Sequence, residues 1–313
     1  MNTGTKAAII IVLVALALLS TALIIKTHKN KELYNVGLGI EFNTHATPAW
    51  VALHEGYFMK HGVNSTNWYK FETGLQLAAA IAKGDVDVGW VCLAPALKIM
   101  DKGVPIKIVA KVHDYGYGLV VNPRKIKSIQ DLNGTIVYCV GGKGSPAYLL
   151  LLKIEEKYGI KFKEIRFMRP TALVSAIVSG QVDAACLREP GPSLAEYHGF
   201  KELLSSRDVW PGMPGSFIVV TTKLLKEEPN AVKAILEANH EGIEFIKKNP
   251  EKAAKIVAGY LGIPVDVVKR SISKLEFTEK LDLTEIQEYI DFMYKYGLLK
   301  HHLNASEITA STG

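Results

Sequence analysis

The sequence predicts an α/β protein of two similar lobes facing each other across a ligand cleft. Three observations predict it. One short pattern occurs twice: positions 80–89 read AIAKGDVDVG and positions 176–185 read AIVSGQVDAA. The stretches upstream correspond as well. An apolar run at 36–42 leads through the polar loop 43–47 to Pro48, and another at 135–140 leads through 141–145 to Pro146. Finally, each half alternates strand, helix, strand, helix, strand, which is the βαβ pattern of a parallel sheet covered by helices.

The elements follow in order. Residues 7–25 are apolar apart from Ser20 and Thr21, with Lys6 before them and Lys26, His28, Lys29 and Lys31 after. At ~1.5 Å per residue such a run spans roughly the ~30 Å of a bilayer's hydrocarbon core. It is longer than the ~7–15 apolar residues of a secretory signal. Residues 1–32 are therefore expected to be a transmembrane anchor or signal segment. Ser20-Thr21-Ala22 is a weak cleavage candidate, and no cysteine near the end of the run supports a lipoprotein anchor. In the body, Thr47 and Ser145 are expected to cap the helices opened by Pro48 and Pro146, since Pro suits the first turn. Gly62 and Gly159 would close those helices, and Gly84 and Gly180 the next ones.

Composition removes several classes of function. A net charge of +6, with Lys and Arg spread along the chain, gives no footprint for nucleic acid. Three cysteines, Cys92, Cys139 and Cys186, lie far apart in apolar runs without a CxxC, so no zinc or iron–sulfur ligand set is present. The loop Gly141-Gly142-Lys143-Gly144-Ser145 lacks the earlier glycine of a phosphate-binding loop. No Gly-x-Ser-x-Gly and no Cys/His dyad supplies a nucleophile. Asp85 and Asp87 read as turn and capping groups. Asn64, Asn133 and Asn304 open N-x-Ser/Thr sequons, a weak sign that an exported body is glycosylated.

In open α/β sheets ligands bind beyond the carboxyl ends of the strands, where helix N-termini converge. Here those ends carry the loops at 43–47, 72–74, 92–95, 141–145, 168–171 and 188–190. Free N–H groups at helix starts favour an anionic or strongly accepting solute. Cys92 lies in one such loop. His45 is either a ligand contact or a solvated side chain. Arg169 is either a bidentate anion grip or a surface ion pair. Tyr115 and Trp210, with Trp50, Tyr117 and Tyr148, fall near expected cleft edges, either to stack a flat heterocycle or to serve as core packing or hinge scaffolding.

The ordered motifs resemble a known family. They are strand-loop-T-P, F-x-x-G, A-A-x-x-x-G-D-V-D-V-G, G-V-P-I-K-I-V-A, D-L-N-G-T-I, G-x-V-D-A-A-x-x-R-E-P and K-K-N-P-E-K-A-A, over residues 33–299. Together they look like the solute-binding proteins of nitrate, sulfonate, taurine and thiamine-precursor ABC importers. The resemblance implies a type II periplasmic-binding-protein fold. Its first lobe would comprise residues 33–117 and 217–300 and its second 118–216, with hinge crossings near 114–118 and 212–217. Residues 301–313 would be a tail, with His301 and His302 lacking partners. It further implies ligand contacts from Asn43, Thr44, Thr73, Gly74, Gly144 and Ser145, a counter-charge from Lys143, and Glu189 at the mouth or hinge. Cys92, where the family often has a small residue, and the extra glycines beside Lys143 depart from the pattern.

The expected function is capture of a small anion or heterocycle by lobe closure, without catalysis, cofactor or metal, and delivery to an ABC permease with its ATPase. The body would be extracytoplasmic, held at the cell membrane by a single N-terminal span. The rival readings are a biosynthetic enzyme on the same fold, of pyrimidine-synthase or menaquinone-pathway type, and a membrane-anchored sensor domain. The pyrimidine synthases resembling this family carry a tight cysteine cluster, which this chain lacks.

Overall fold

The computed structural model describes residues 33–311. All elements below lie in the unit that begins at Asn35. The strands are β1 (Leu38–Glu41), β2 (Trp68–Phe71), β3 (Val88–Cys92), β4 (Ile106–Tyr115), β5 (Tyr117–Val121), β6 (Ile136–Val140), β7 (Glu164–Met168), β8 (Ala184–Arg188), β9 (Lys201–Ser205), β10 (Pro214–Thr221) and β11 (Leu275–Phe277). They form two sheets, in the orders β11-β4-β10-β3-β1-β2 and β7-β6-β8-β5-β9.

The duplication read from the sequence is visible in the pairing. β1 lies between β2 and β3, parallel to both, and β6 lies between β7 and β8, parallel to both. The fourth strand of each sheet lies outside the repeat and runs antiparallel: β10 beside β3 and β5 beside β8. β4 and β5 are separated by Gly116 alone yet belong to different sheets. The chain returns through residues 206–213, between β9 and β10. Two short crossings therefore join the sheets. At the first, Tyr115 has φ 67° and Gly116 φ 87°. A side chain at Gly116 would collide with Leu275 and the His45 ring, so glycine is required there for space as well as for φ.

The principal helices are α1 (Thr47–His54), α2 (Gly74–Lys83), α3 (Leu93–Met100), α4 (Pro146–Tyr158), α5 (Pro170–Val178), α6 (Gly191–Tyr197), α7 (Pro229–Lys248), α8 (Pro250–Leu261), α9 (Val265–Ser273) and α10 (Leu283–Lys295). Several caps follow the sequence reading, but α1 ends at His54, short of the expected Gly62. Ser145 Oγ accepts from Tyr148 N at the start of α4, and Gly84 and Gly159 take left-handed conformations after α2 and α4. Thr47 does not cap α1. The first capped residue is instead Asn43, whose side chain accepts from His45 N above a single 3-10 turn at Thr44–Ala46. Thr47 is the first residue of the helix, and its hydroxyl donates to Thr44 O at 2.6 Å. The extra turn satisfies N–H groups that a direct strand-to-helix step would orphan.

Residues after 224 are mostly helical, but β11 adds an antiparallel strand beside β4. α7 lies along α1, where Gly242 lets its backbone approach Pro48. Trp90 on β3 donates from Nε1 to Asn239 Oδ1 on α7 at 2.9 Å, tying this helix to the first sheet. Residues 301–311 have partners, contrary to expectation. His301 pairs with Asp101 at 3.0 Å, His302 with Asp291 at 2.7 Å, and Thr309 bridges to Ile108 of β4. The expected span at 7–25 lies outside the described residues. Among the described residues no helix is long and apolar enough to cross a membrane.

Candidate functional site

The carboxyl ends of β1, β3, β6 and β8 meet at a crevice between the sheets, which holds two recesses. The inner recess, about 40 Å³, has Glu41, Gly74 and Cys92 on the first-sheet side and Ser145, Pro170 and Arg188 on the second. The wider one, about 300 Å³, lies between Phe42, Asn43 and Ile263 on one side and Pro170, Leu187 and Glu189 on the other. Arg188 lines both, as do Val140 and Pro170.

Glu41 and Arg188 dominate the electrostatics. Glu41 is the last residue of β1, and its side chain is 1% exposed. It accepts from Asn43 Nδ2 at 2.9 Å and from Cys92 N at 3.0 Å, and Arg188 Nη1 donates to it from the opposite sheet. Arg188 Nη2 donates to Glu72 O. Gly74 is needed beneath this pair, because a Cβ there would lie 2.5 Å from Glu41 Oε1. Cys92 Sγ accepts from the Tyr117 hydroxyl at 3.1 Å. Burial, and then the Glu41 charge, push the Cys92 thiol up to about 12, so it is a neutral wall group and not a nucleophile. Other ties cross the crevice: Thr171 Oγ1 donates to Glu72 Oε1 at 3.2 Å and Lys98 Nζ to Lys143 O at 2.7 Å.

On the hinge side a third recess of about 240 Å³ holds a cluster of charge. Lys274, just past α9, lies 3.2 Å from Glu189, 2.8 Å from Glu196 and 2.8 Å from Glu202. Burial raises the Glu189 carboxyl, against the pull of Lys274 and the nearby Ser271 and Ser193 hydroxyls, and it raises Glu202 to about 7. Glu189 is 1% exposed, and neither of its oxygens has an aligned hydrogen bond, so Lys274 holds it by charge.

The residues expected from sequence divide between these places. Thr73, Gly74, Cys92 and Ser145 line the inner recess, and Asn43 and Glu189 the wider one. Gly144 is buried against Lys98, while the Lys143 side chain is exposed and only its carbonyl is engaged. Arg169 is exposed at the start of α5. Thr44 and His45 lie beneath the loop rather than in either recess. Thr44 Oγ1 is 2.7 Å from Ser271 Oγ, and His45 Nε2 is 3.0 Å from Gly116 O with the ring edge-on to His113. Tyr115 belongs to the crossing, where its hydroxyl accepts from Gly212 N and Arg207 covers its ring. Trp210 is stacked on Tyr289 in the core and reaches neither crevice recess, because the return crossing turns it inward. Sequence reasoning did not single out Glu41 and Arg188. The signal was available: each is a charge ending an otherwise apolar strand, LGIE and AACLR.

Two duplicated α/β units, exchanged antiparallel strands, and a crevice at the strand ends define the two-lobed periplasmic-binding-protein fold. The family described as NMT1/THI5 like matches residues 43–253, more than half of the chain, and the chain belongs to it. A binding protein of Brucella abortus (strain 2308) is 28% identical over 220 residues, covering 68% of this chain and 67% of its own. The taurine-binding periplasmic protein of Escherichia coli K12 is 26% identical over 221 residues, covering 69% and 68%. The solved structure of the alkanesulfonate-binding protein from Xanthomonas axonopodis pv. citri, bound to MOPS, matches with a TM-score of 0.77 at 19% identity. It covers 90% of this chain and 99% of that one, and shows the shared fold. The resemblance carried by the sequence motifs is thereby borne out.

Proposed function

We propose that the protein captures a small solute between its lobes and delivers it to an ABC permease. The observation that carries this is the crevice itself. Strand ends of both sheets converge on it, and Arg188 reaches from one sheet to Glu41 and Glu72 of the other. Such a contact forms only when the lobes approach, so the same residues that line the recesses also report closure. The names of the relatives support the same reading: one carries the name of a binding protein and one is named for binding taurine. Capture without chemistry fits a site whose thiol is buried and neutral and whose carboxylate is bound to a guanidinium. Contacts from Asn43, Thr73, Gly74, Cys92, Ser145 and Glu189 belong to this proposal. So does anchoring by residues 7–25, with the body outside the membrane.

Thermal-shift measurement of the purified chain against a panel of small organic and inorganic solutes tests the function. A ligand at 100 times its Kd stabilises by about 2.7 kcal/mol, a clear rise in Tm. Arg188→Ala is expected to remove that rise. A solute that stabilises wild type and Arg188→Ala equally does not bind at this crevice. Alkaline carbonate extraction of cells tests the anchor, which is expected to leave the chain in the membrane pellet.

A further inference from the structure

We infer that Lys274 is a positioning residue of the crevice: from the first sheet it holds Glu189, a lining residue of the wider recess, in a latch that slackens as the surrounding carboxylates lose a proton. This rests on the solute-capture reading above, in which the lobes part and close. Glu189 lines both the wider recess and the recess behind the hinge. Lys274 precedes β11, which pairs with β4 of the first sheet. Its three carboxylates stand on the other side: Glu189 follows β8, Glu202 lies on β9, and Glu196 lies on α6, which packs on β5, β8 and β9. Each ion pair therefore crosses from one sheet's side to the other. α9, which ends at the residue before Lys274, is itself tied to the first ligand loop, with Ser271 Oγ 2.7 Å from Thr44 Oγ1.

The charge balance makes this latch sensitive to protons. Among the described residues Lys274 is the one cation in ion-pair contact with Glu189 and Glu202, whose side chains are 1% and 13% exposed. Glu196 also has Arg270, at 3.8 Å. Arg207 lines the recess, but its guanidinium pairs with Glu276 at 3.0 Å and covers the Tyr115 ring. Two enclosed carboxylates thus share one ammonium. Burial raises Glu202 to about 7 against the pull of Lys274, and the charges of Glu189 and Glu196 add to the rise. Other groups nearby keep one charge state around that pH. Burial pushes the Cys186 thiol and the Tyr117 hydroxyl far up, and holds His45 and His113 beneath the first crossing down. Asp114, raised by burial to about 6, is paired with Lys111 of its own strand. Parting the lobes withdraws Lys274 and admits water, which returns Glu202 towards the ordinary carboxyl value of about 4.3. The closed form therefore holds a proton that the open form releases. Closure is favoured at acid pH and weakens as pH rises through about 7.

Distances between the lobes test this in the intact chain. β2 and β7 are the edge strands farthest from the crossings, so labels there magnify a hinge motion. Tyr69 on β2 and Lys163 just before β7 are exposed, whereas Cys92, Cys139 and Cys186 are buried and resist labelling. Spin labels at Tyr69→Cys and Lys163→Cys are read by pulsed electron paramagnetic resonance. A shorter distance is expected to dominate at pH 5, with a longer population that grows about tenfold by pH 8. Lys274→Arg should keep this response. Lys274→Met should bring in the longer distance at lower pH, and Glu202→Gln should hold the shorter one at pH 8. Lys274→Arg and Glu202→Gln carry the test should Lys274→Met fail to fold. A merely structural ammonium would lower Tm in Lys274→Met yet leave the distances as in wild type, which overturns the proposal. Distances that ignore pH in wild type, or a response that survives Glu202→Gln, overturn it too. Both results leave solute capture standing, which the thermal-shift panel judges separately.

Discussion

At the scale of single residues, the site depends on groups whose side chains already have local work. Ser145 caps α4, so Ser145→Ala is expected to destabilise the fold by about 1 kcal/mol, seen as a lower denaturant midpoint at unchanged m-value. Gly116→Ala should cost more than that, because positive φ and the collision with Leu275 and His45 act together. His113 lies beside His45 under the same crossing, and burial lowers its pKa to about 4. The unfolded chain takes up that proton near about 6.5, so the stability His113 contributes is complete above that pH and lost as pH falls towards 4. His113→Gln should flatten the acid limb of a Tm-versus-pH curve between these limits. The sequence marked Ser145 as a cap because Ser before Pro is a local signal. Thr47 met the same description, yet Asn43 caps a preceding 3-10 turn, since packing beneath the first loop fixed the number of residues in the turn.

At the scale of elements, the latch behind the hinge joins α9 to the second sheet. Lys274 meets Glu189 after β8, Glu196 on α6 and Glu202 on β9. Glu202 also fills the space that a side chain at Gly118 would need. Its carboxyl, raised to about 7, holds a proton in the folded chain that the unfolded chain releases near about 4.3. Stability from this cluster is therefore greatest at the acid end of that window and declines as pH rises through it. Glu202→Gln should abolish the decline, measured as Tm between pH 5 and 8. Lys274→Met should lower stability most at the alkaline end of this window, where the buried carboxylates it leaves uncompensated would have to ionise. Of its four residues the sequence motifs marked only Glu189, at the mouth or hinge. Lys274, Glu196 and Glu202 lie on separate elements, and each alone looks like an ordinary surface charge.

For the molecule as a whole, closure depends on a few polar ties across an otherwise apolar crevice. Arg188 to Glu41 and Glu72, Lys98 to Lys143 and Thr171 to Glu72 all connect loops of one sheet with those of the other. Removing Arg188 strands Glu41 at 1% exposure, a loss of roughly 3–5 kcal/mol for a broken buried pair. The strain is relieved if the lobes part and water reaches the carboxylate. Arg188→Ala is accordingly expected to increase the radius of gyration in small-angle scattering, without unfolding the sheets.

The amino-acid sequence by itself determined the local architecture. Duplicated βαβ units, glycine and proline punctuation and most helix caps follow from residues close together in the chain, whose periodicity and φ preferences act over a few positions. It also placed the ligand loops at the strand ends. Tertiary structure alone decided the exchange of β5 and β10 between repeats, the inward turn of Trp210 and the meeting of Glu41 with Arg188. Those two residues stand 147 positions apart. Only the folding of both halves against each other brings such distant charges into one poorly solvated space, where their interaction is far stronger than in water.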